Sequence, residues 1–199
     1  MTTFGVMGLA GAPGERAAGS AKETDPAHPR SLGYGRAQNE EAVRSWAQRG
    51  VRASVVRLAP SVHGAGDKGL VLMIAAAARK RRSACYVGGG ENRWCGVHRR
   101  DAATLFRLAL EKGSAGAVFH GVGDEGLPFR RIAQIIGDNL GLPVTSVTLR
   151  EANRRLRWLA PFAAVDNPAK SALTREELGW TPKGLSFEED LNASDYFSS

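Results

Sequence analysis

Two glycine patterns have the spacing of phosphate-binding loops. GVGDEG, Gly121 to Gly126, is a literal G-x-G-x-x-G, and GLAGAPG, Gly8 to Gly14, is a G-x-x-G-x-x-G. Such patterns cradle dinucleotide phosphates when a strand leads in and a helix with an apolar face follows. Gly14 is followed by ERAAGSAKETDPAHP, which has two prolines and no aliphatic side chain larger than alanine, so no packed helix starts there. In GVGDEG, Asp124 and Glu125 would face and repel the pyrophosphate. Pro128 marks the first helical turn, which leaves all three glycines outside the helix. Both patterns read as decoys, and GVGDEG reads as a tight connection between a strand and a helix.

Other reactive side chains are sparse. Cys85 and Cys95 have no metal-ligand spacing and read as buried free thiols of a reducing cytoplasm. His63 and His98 have no partner cluster that would make them metal ligands. The net charge is +7, and its densest run is Arg79, Lys80, Arg81 and Arg82. That run ends an apolar helical stretch, where cations complement the helix dipole, so it reads as a solvated cap and no nucleic-acid partner is expected. No apolar run approaches the ~20 residues of a membrane span, so no membrane partner is expected either.

The elements that must position these residues follow from periodicity and breakers. Strands are expected at 2–7, 51–58, 84–87, 117–120 and 144–149. Helices are expected at about 31–48, 69–80, 101–112, 127–140, 151–159, 170–178 and 187–192. Residues 10–30 read as a polar surface loop, 60–68 as a glycine-containing loop, and GGGENR (88–93) as a turn. Asp101 reads as a helix-start residue. Alternating strands and helices give the α/β class.

Six segments carry a resemblance. TTFGVMG (Thr2 to Gly8) and YGRAQNEEA (Tyr34 to Ala42) resemble the active-site pieces of the extended short-chain dehydrogenase/reductases, the NAD-dependent epimerase/dehydratase family. VVRLAPSVHG resembles that family's strand and R-P-x-x-V-Y-G loop beside the nicotinamide. GVHRRDAA resembles its V-H-V-x-D-V-A segment. VFHGVGDEGLPFRRIAQIIG resembles its N-V-G-x-x-x-P helix entry, and SALTREELGWTP its L-G-W-x-P close. The pieces run in the family's order along essentially the whole chain.

The resemblance implies a partial Rossmann-like parallel sheet with a small mixed α/β C-terminal lobe. Residues 1–66 would belong to the NAD(P)-binding domain, interleaved with later segments, and residues 67–199 mainly to the substrate lobe. It places Tyr34 as the proton-transfer residue and Thr3 as the hydrogen-bonding Ser/Thr. Gln38 stands where the family has lysine, and Ala59, Pro60 and Ser61 border the nicotinamide; Arg93 is a candidate substrate contact. A phenol titrates near ~10, so it needs a nearby cation to ionise near neutrality. Four residues of helix put Tyr34 and Gln38 on one face, but glutamine brings no charge. Arg44 and Arg57 are the possible substitutes. The implied activity is NAD- or NADP-dependent oxidation, reduction or epimerisation of a carbonyl or alcohol substrate, and the alternative is a non-catalytic binding or regulatory member of the same fold. The family's own glycine-rich half precedes the Ser/Thr strand. The expectation is therefore a truncated, impaired chain that binds NAD(P) weakly or not at all and is prone to self-association.

Overall fold

The computed structural model describes residues 1–193 and 196–197. The first sheet is wholly parallel, in the order β1 (Thr2–Gly5), β2 (Val55–Leu58), β6 (Val118–Gly121). β6 joins from far along the chain. The second sheet has the order β3 (Ser61–His63), β5 (Arg93–His98), β7 (Asp124–Pro128), with β7 antiparallel to β5. The third pairs β4 (Ala84–Val87) with β8 (Val144–Val147) in parallel. The helices are α1 (Tyr34–Arg44), α2 (Leu70–Arg81), α3 (Arg99–Lys112), α4 (Phe129–Leu140), α5 (Leu149–Leu156), α6 (Ala160–Ala163), α7 (Ala172–Leu178) and α8 (Phe187–Leu191). The chain is α/β, with a Rossmann-like parallel arrangement, as its pattern of elements predicts.

Alternation along the strands sorts the first sheet's faces. Val56 and Phe119 are register partners and pack with Leu105 and Ala109 of α3. Phe4, Arg57 and His120 are register partners on the other face, the one α1 covers. A second core forms where Ile132, Ile135 and Ile136 of α4 meet Val71, Ile74 and Ala75 of α2. Trp94 and Phe129 lie edge to face in it at 5.1 Å. Gly137 is required here, because a Cβ would collide with Val144 of β8.

Several boundaries differ from the sequence expectation. The first strand stops at Gly5, because Val6–Leu9 turn into a 3-10 helix. The loop after Pro60 holds the short strand β3, and the segment after the glycine turn is β5, with Trp94, Cys95, Gly96 and Val97 all buried. GVGDEG is not a tight connection. Asp124–Pro128 form β7, and Gly126 lets it pass Arg93 and Pro168, whose side chains a Cβ would meet at 3.1 and 3.4 Å. Pro128 is the N-cap of α4 rather than its first residue. The polar stretch 10–30 is tied down along its length: Gly14 donates to the Ala164 carbonyl, Ala17 to Asp166, and Ala21 bridges Ala169.

Two histidines are sealed in this framework. His120 Nδ1 donates to the Lys170 carbonyl (2.8 Å), so Nε2 accepts from Arg57 (3.3 Å) and the ring is neutral. Burial is the main cause that lowers its pKa, to about 4. His63 Nδ1 lies 2.7 Å from Asp190, and burial lowers its pKa against the opposing pull of Asp190 and Asp124. A histidine with a depressed native pKa contributes stability above its unfolded value near ~6.5, and that contribution is lost as pH falls through the native pKa. The unfolding free energy from urea titrations should therefore drop between pH 7 and pH 4, by about 1–3 kcal/mol from His120 alone. His120→Gln should flatten the profile over that interval.

Candidate functional site

Tyr34 and Gln38 line one cavity of about 360 Å³, between the start of α1 and residues 23–27. Tyr34 is half-buried and Gln38 exposed. The cavity's other walls include Glu23, Asp25, Arg44 and Arg57. α1 has little apolar surface, so packing alone does not hold it. Ala37 rests near Gly8, where a Cβ would stand 3.4 Å away, and Glu40 turns inward to β2.

Glu40 makes the central contact. Its carboxylate accepts from Arg57 Nε at 2.9 Å and from a second guanidinium nitrogen at 2.6 Å, with both residues about 5% exposed. The third guanidinium nitrogen donates to the carbonyls of Glu23 and Asp25, each at 3.2 Å. Glu23 in turn accepts from the amide and hydroxyl of Thr174 at 2.9 and 2.8 Å. Arg44 donates to the Gly116 carbonyl and pairs with Glu41 at 3.3 Å. Both arginines that line the cavity are thus committed to partners.

The other expected site residues lie apart from Tyr34. Thr3 is exposed, and its register partner Val56 packs toward α3, so Thr3 projects from the sheet face opposite α1. Its hydroxyl donates to the Val56 carbonyl at 3.1 Å. Ala59 extends the first ladder by donating to Gly121, and Pro60 and Ser61 carry the chain into the second sheet. Ala59 and Ser61 are buried, and the Ser61 hydroxyl has no hydrogen-bond partner among the described residues. Arg93 is held by Asp166, which accepts from its amide (2.8 Å) and from Nε (3.0 Å) and a terminal nitrogen (3.1 Å) of its guanidinium. Burial raises the Asp166 pKa, but Arg93 and the amides of Ala17 and Arg93 outweigh it, so the carboxyl lies below the usual range.

Asp101 does more than start a helix. Its carboxylate accepts the amides of Lys183 and Gly184 at 3.0 and 2.8 Å, and its carbonyl accepts the Trp180 indole N–H at 3.0 Å. The V-H-R-R-D and L-G-W-T-P segments are therefore two halves of one contact.

Neither glycine pattern forms a phosphate loop. Gly8–Gly14 pass through a 3-10 helix and turns, and Gly121–Gly126 lie mainly in β6 and β7. A third pattern escaped the sequence reading. GAGDKG, Gly64 to Gly69, leads from β3 into α2, with φ of 137° at Gly64 and 77° at Gly66. Asp67 accepts the Gly69 amide at 2.6 Å, just ahead of α2, and its carboxylate would repel a phosphate there. Cys85 and Cys95 are buried and free, and burial raises both thiol pKa values. Among the described residues no group of three His, Cys, Asp or Glu side chains could hold a metal, and no helix is long and apolar enough to cross a membrane.

No family model matches the chain. It is 45% identical over 172 residues to an uncharacterized protein of Schizosaccharomyces pombe, covering 86% of this chain and 56% of that one. It is 44% identical over 159 residues to an uncharacterized protein of Saccharomyces cerevisiae, covering 80% and 53%. The chain thus spans about half the length of these curated relatives. Its fold is similar to that of the dTDP-glucose 4,6-dehydratase DesIV of Streptomyces venezuelae with NAD bound (TM-score 0.71, 22% identity, 97% of this chain and 56% of that chain). It is also similar to Thermus thermophilus UDP-glucose 4-epimerase with NAD (0.72, 18%, 98% and 63%) and to RMD of Pseudomonas aeruginosa with NADPH (0.70, 19%, 99% and 67%). The structural neighbours are thus NAD-dependent dehydratases and epimerases over most of this chain, and at these identities the likeness is one of fold.

Glu40→Ala should destabilise the chain by about 3–5 kcal/mol, because it leaves the Arg57 guanidinium buried and unpaired. Glu41→Ala removes an exposed partner and should cost less than about 1 kcal/mol. Urea denaturation of the two variants beside the parent measures the difference.

Proposed function

We propose that this chain contributes to an NAD(P)-dependent oxidoreductase or epimerase acting on a carbonyl or alcohol substrate, with Tyr34 as the proton-transfer residue. The observation that carries this reading is the placement of Tyr34 and Gln38, four residues apart, in one cavity at the start of a helix packed on a parallel sheet. The relatedness of the fold to NAD-bound dehydratases and epimerases supports it. A nicotinamide cofactor would supply the hydride chemistry. Tyr34 would hold or release a proton at the substrate oxygen, and Gln38 would hydrogen-bond the ribose hydroxyls. Ala59, Pro60 and Ser61 would border the ring.

A second reading is a non-catalytic binding or regulatory member of the fold. Gln38 carries no charge, and Arg44 and Arg57 are both engaged elsewhere, which favours this reading. Thr3, on the opposite sheet face, favours it too.

Exchanging this chain for the matching residues of the fission-yeast relative gives a hybrid in which the two readings separate. On the catalytic reading, Tyr34→Phe abolishes NAD(P)H-coupled carbonyl reduction and Gln38→Lys raises its turnover. An unchanged rate in Tyr34→Phe assigns the cavity to binding alone.

The 199-residue chain by itself should not bind NADH or NADPH at micromolar concentration, since neither GLAGAPG nor GVGDEG presents amides from a helix N-terminus and the Asp67 carboxylate just ahead of α2 would repel a pyrophosphate there. Calorimetric titration with each nucleotide checks this.

A further inference from the structure

Two arginine-rich segments that are 70 residues apart in sequence meet on one face. Residues 79–82, at the end of α2, carry four cations. Residues 149–157, in α5 and just beyond, carry four more against the single carboxylate of Glu151. Their excess equals the +7 of the whole chain, so the remaining basic and acidic side chains cancel. The segments are in contact, since Arg81 donates to the Arg154 carbonyl at 3.0 Å. Between them lies an open cleft of about 340 Å³ walled by Arg81, Arg150, Arg154, Arg155, Thr148 and the carboxylate of Glu151. Glu151 neutralises Arg155 at 2.5 Å. Among the described residues, Arg81, Arg82, Arg150, Arg154 and Arg157 have no carboxylate within ion-pair distance.

Two further observations concern the ends of the same two helices, Arg82 after α2 and Arg157 and Trp158 after α5. Arg82 and Arg157 have φ of 54° and 56°, and they are the non-glycine residues with positive φ among the described residues. Such backbone costs stability and persists where surrounding structure enforces it. Trp158 is 56% exposed while its ring edge rests on Phe162 at 5.8 Å, which holds the indole with surface to spare.

We infer that the α2–α5 face binds the phosphodiester backbone of a single-stranded nucleic acid, with the unpaired arginines on successive phosphates and Trp158 as a stacking platform. The sequence expectation of a solvated helix cap treated residues 79–82 alone; in the fold that run is half of a larger surface. Five unpaired guanidiniums exceed what one phosphate needs, so a polyanion fits better than a monophosphate. An anionic membrane fits less well, because Ala152 and Leu156 of α5 are already buried and only the separate side chains of Leu149 and Trp158 are exposed, short of the continuous apolar face an interfacial helix inserts. A duplex offers no free base face to Trp158.

The test is fluorescence anisotropy of the 199-residue chain with fluorescein-labelled rU20, from 50 to 300 mM KCl. Binding should weaken with a log–log slope of about −3, at about −0.7 per phosphate contacted. Arg150→Glu and Arg154→Glu, which alter exposed side chains, should each weaken binding at least about tenfold and make the slope shallower. Trp158→Ala should weaken it about fivefold or more with the slope unchanged. Lys112→Glu, at the end of α3, makes the same charge change elsewhere and should shift affinity less than about twofold. Thermal unfolding of each variant confirms that the fold is kept. A flat salt response, an effect of Lys112→Glu equal to that of Arg154→Glu, or binding to phosphatidylserine vesicles without binding to rU20 each overturns the proposal.

Discussion

A buried cation can stay in a protein interior only if every direction it points is answered, and Arg57 is placed where its answers come from three separate parts of the chain. Glu40 answers from α1, the Glu23 and Asp25 carbonyls from the long loop, and His120 from β6. Desolvating a guanidinium costs several kcal/mol, so these partners are obligatory once β2 buries residue 57. The consequence reaches the candidate site directly. α1 is short, polar and capped by no side chain, and Glu40 fixes its rotation over the sheet. That rotation carries Tyr34 and Gln38 toward residues 23–27 and away from Thr3. The loop that closes their cavity is itself hung from the same guanidinium.

The rest of the molecule repeats this logic with carboxylates. Asp166 gathers Arg93 and the Ala17 amide, which joins β5 to the loop. Asp101 gathers the amides after Trp180, which joins α3 to the C-terminal segment. Asp190 and Asp124 flank His63, which joins β3 to α8 and β7. Each is a polar contact between segments tens of residues or more apart in sequence. The hydrophobic clusters hold each layer; these charged groups set how the layers are joined.

The elements that sequence made legible are those with their own apolar period. α4 carries Ile132, Ile135 and Ile136 at helical spacing and stops at Gly141 with φ of 61°, and all of that is visible in the letters. β5 and β7 were not legible, because RWCGVH and DEGLP do not alternate. Their glycines answer to close neighbours rather than to a side-chain pattern: Gly126 lets β7 pass Arg93 of β5, and Gly96 makes room for Phe187 of α8. For the site, the four-residue spacing of Tyr34 and Gln38 was legible and so was their shared face. The occupation of Arg57 and Arg93 was not, since Glu40 and Asp166 lie 17 and 73 residues from them. The meeting of residues 79–82 with 149–157 was hidden for the same reason.

The distribution of charge separates the two surfaces by what each can recognise. Around Tyr34 the lining cations are closed off by carboxylates and carbonyls, so this cavity exerts little long-range pull on an anion. Selectivity there has to come from shape and from hydrogen bonds to the phenol, the Gln38 amide and the carbonyl-rich loop. The α2–α5 face has the opposite character: it is open, and the two segments that form it carry an excess charge equal to the net charge of the chain. Its attraction acts over roughly a Debye length, ~8 Å at physiological salt, and is blunted by added salt. On the proposed reading, a phosphodiester chain would be drawn to these arginines independently of what is bound beside Tyr34. The two surfaces can be occupied together without competing for the same charges, because no residue lining one cavity lines the other.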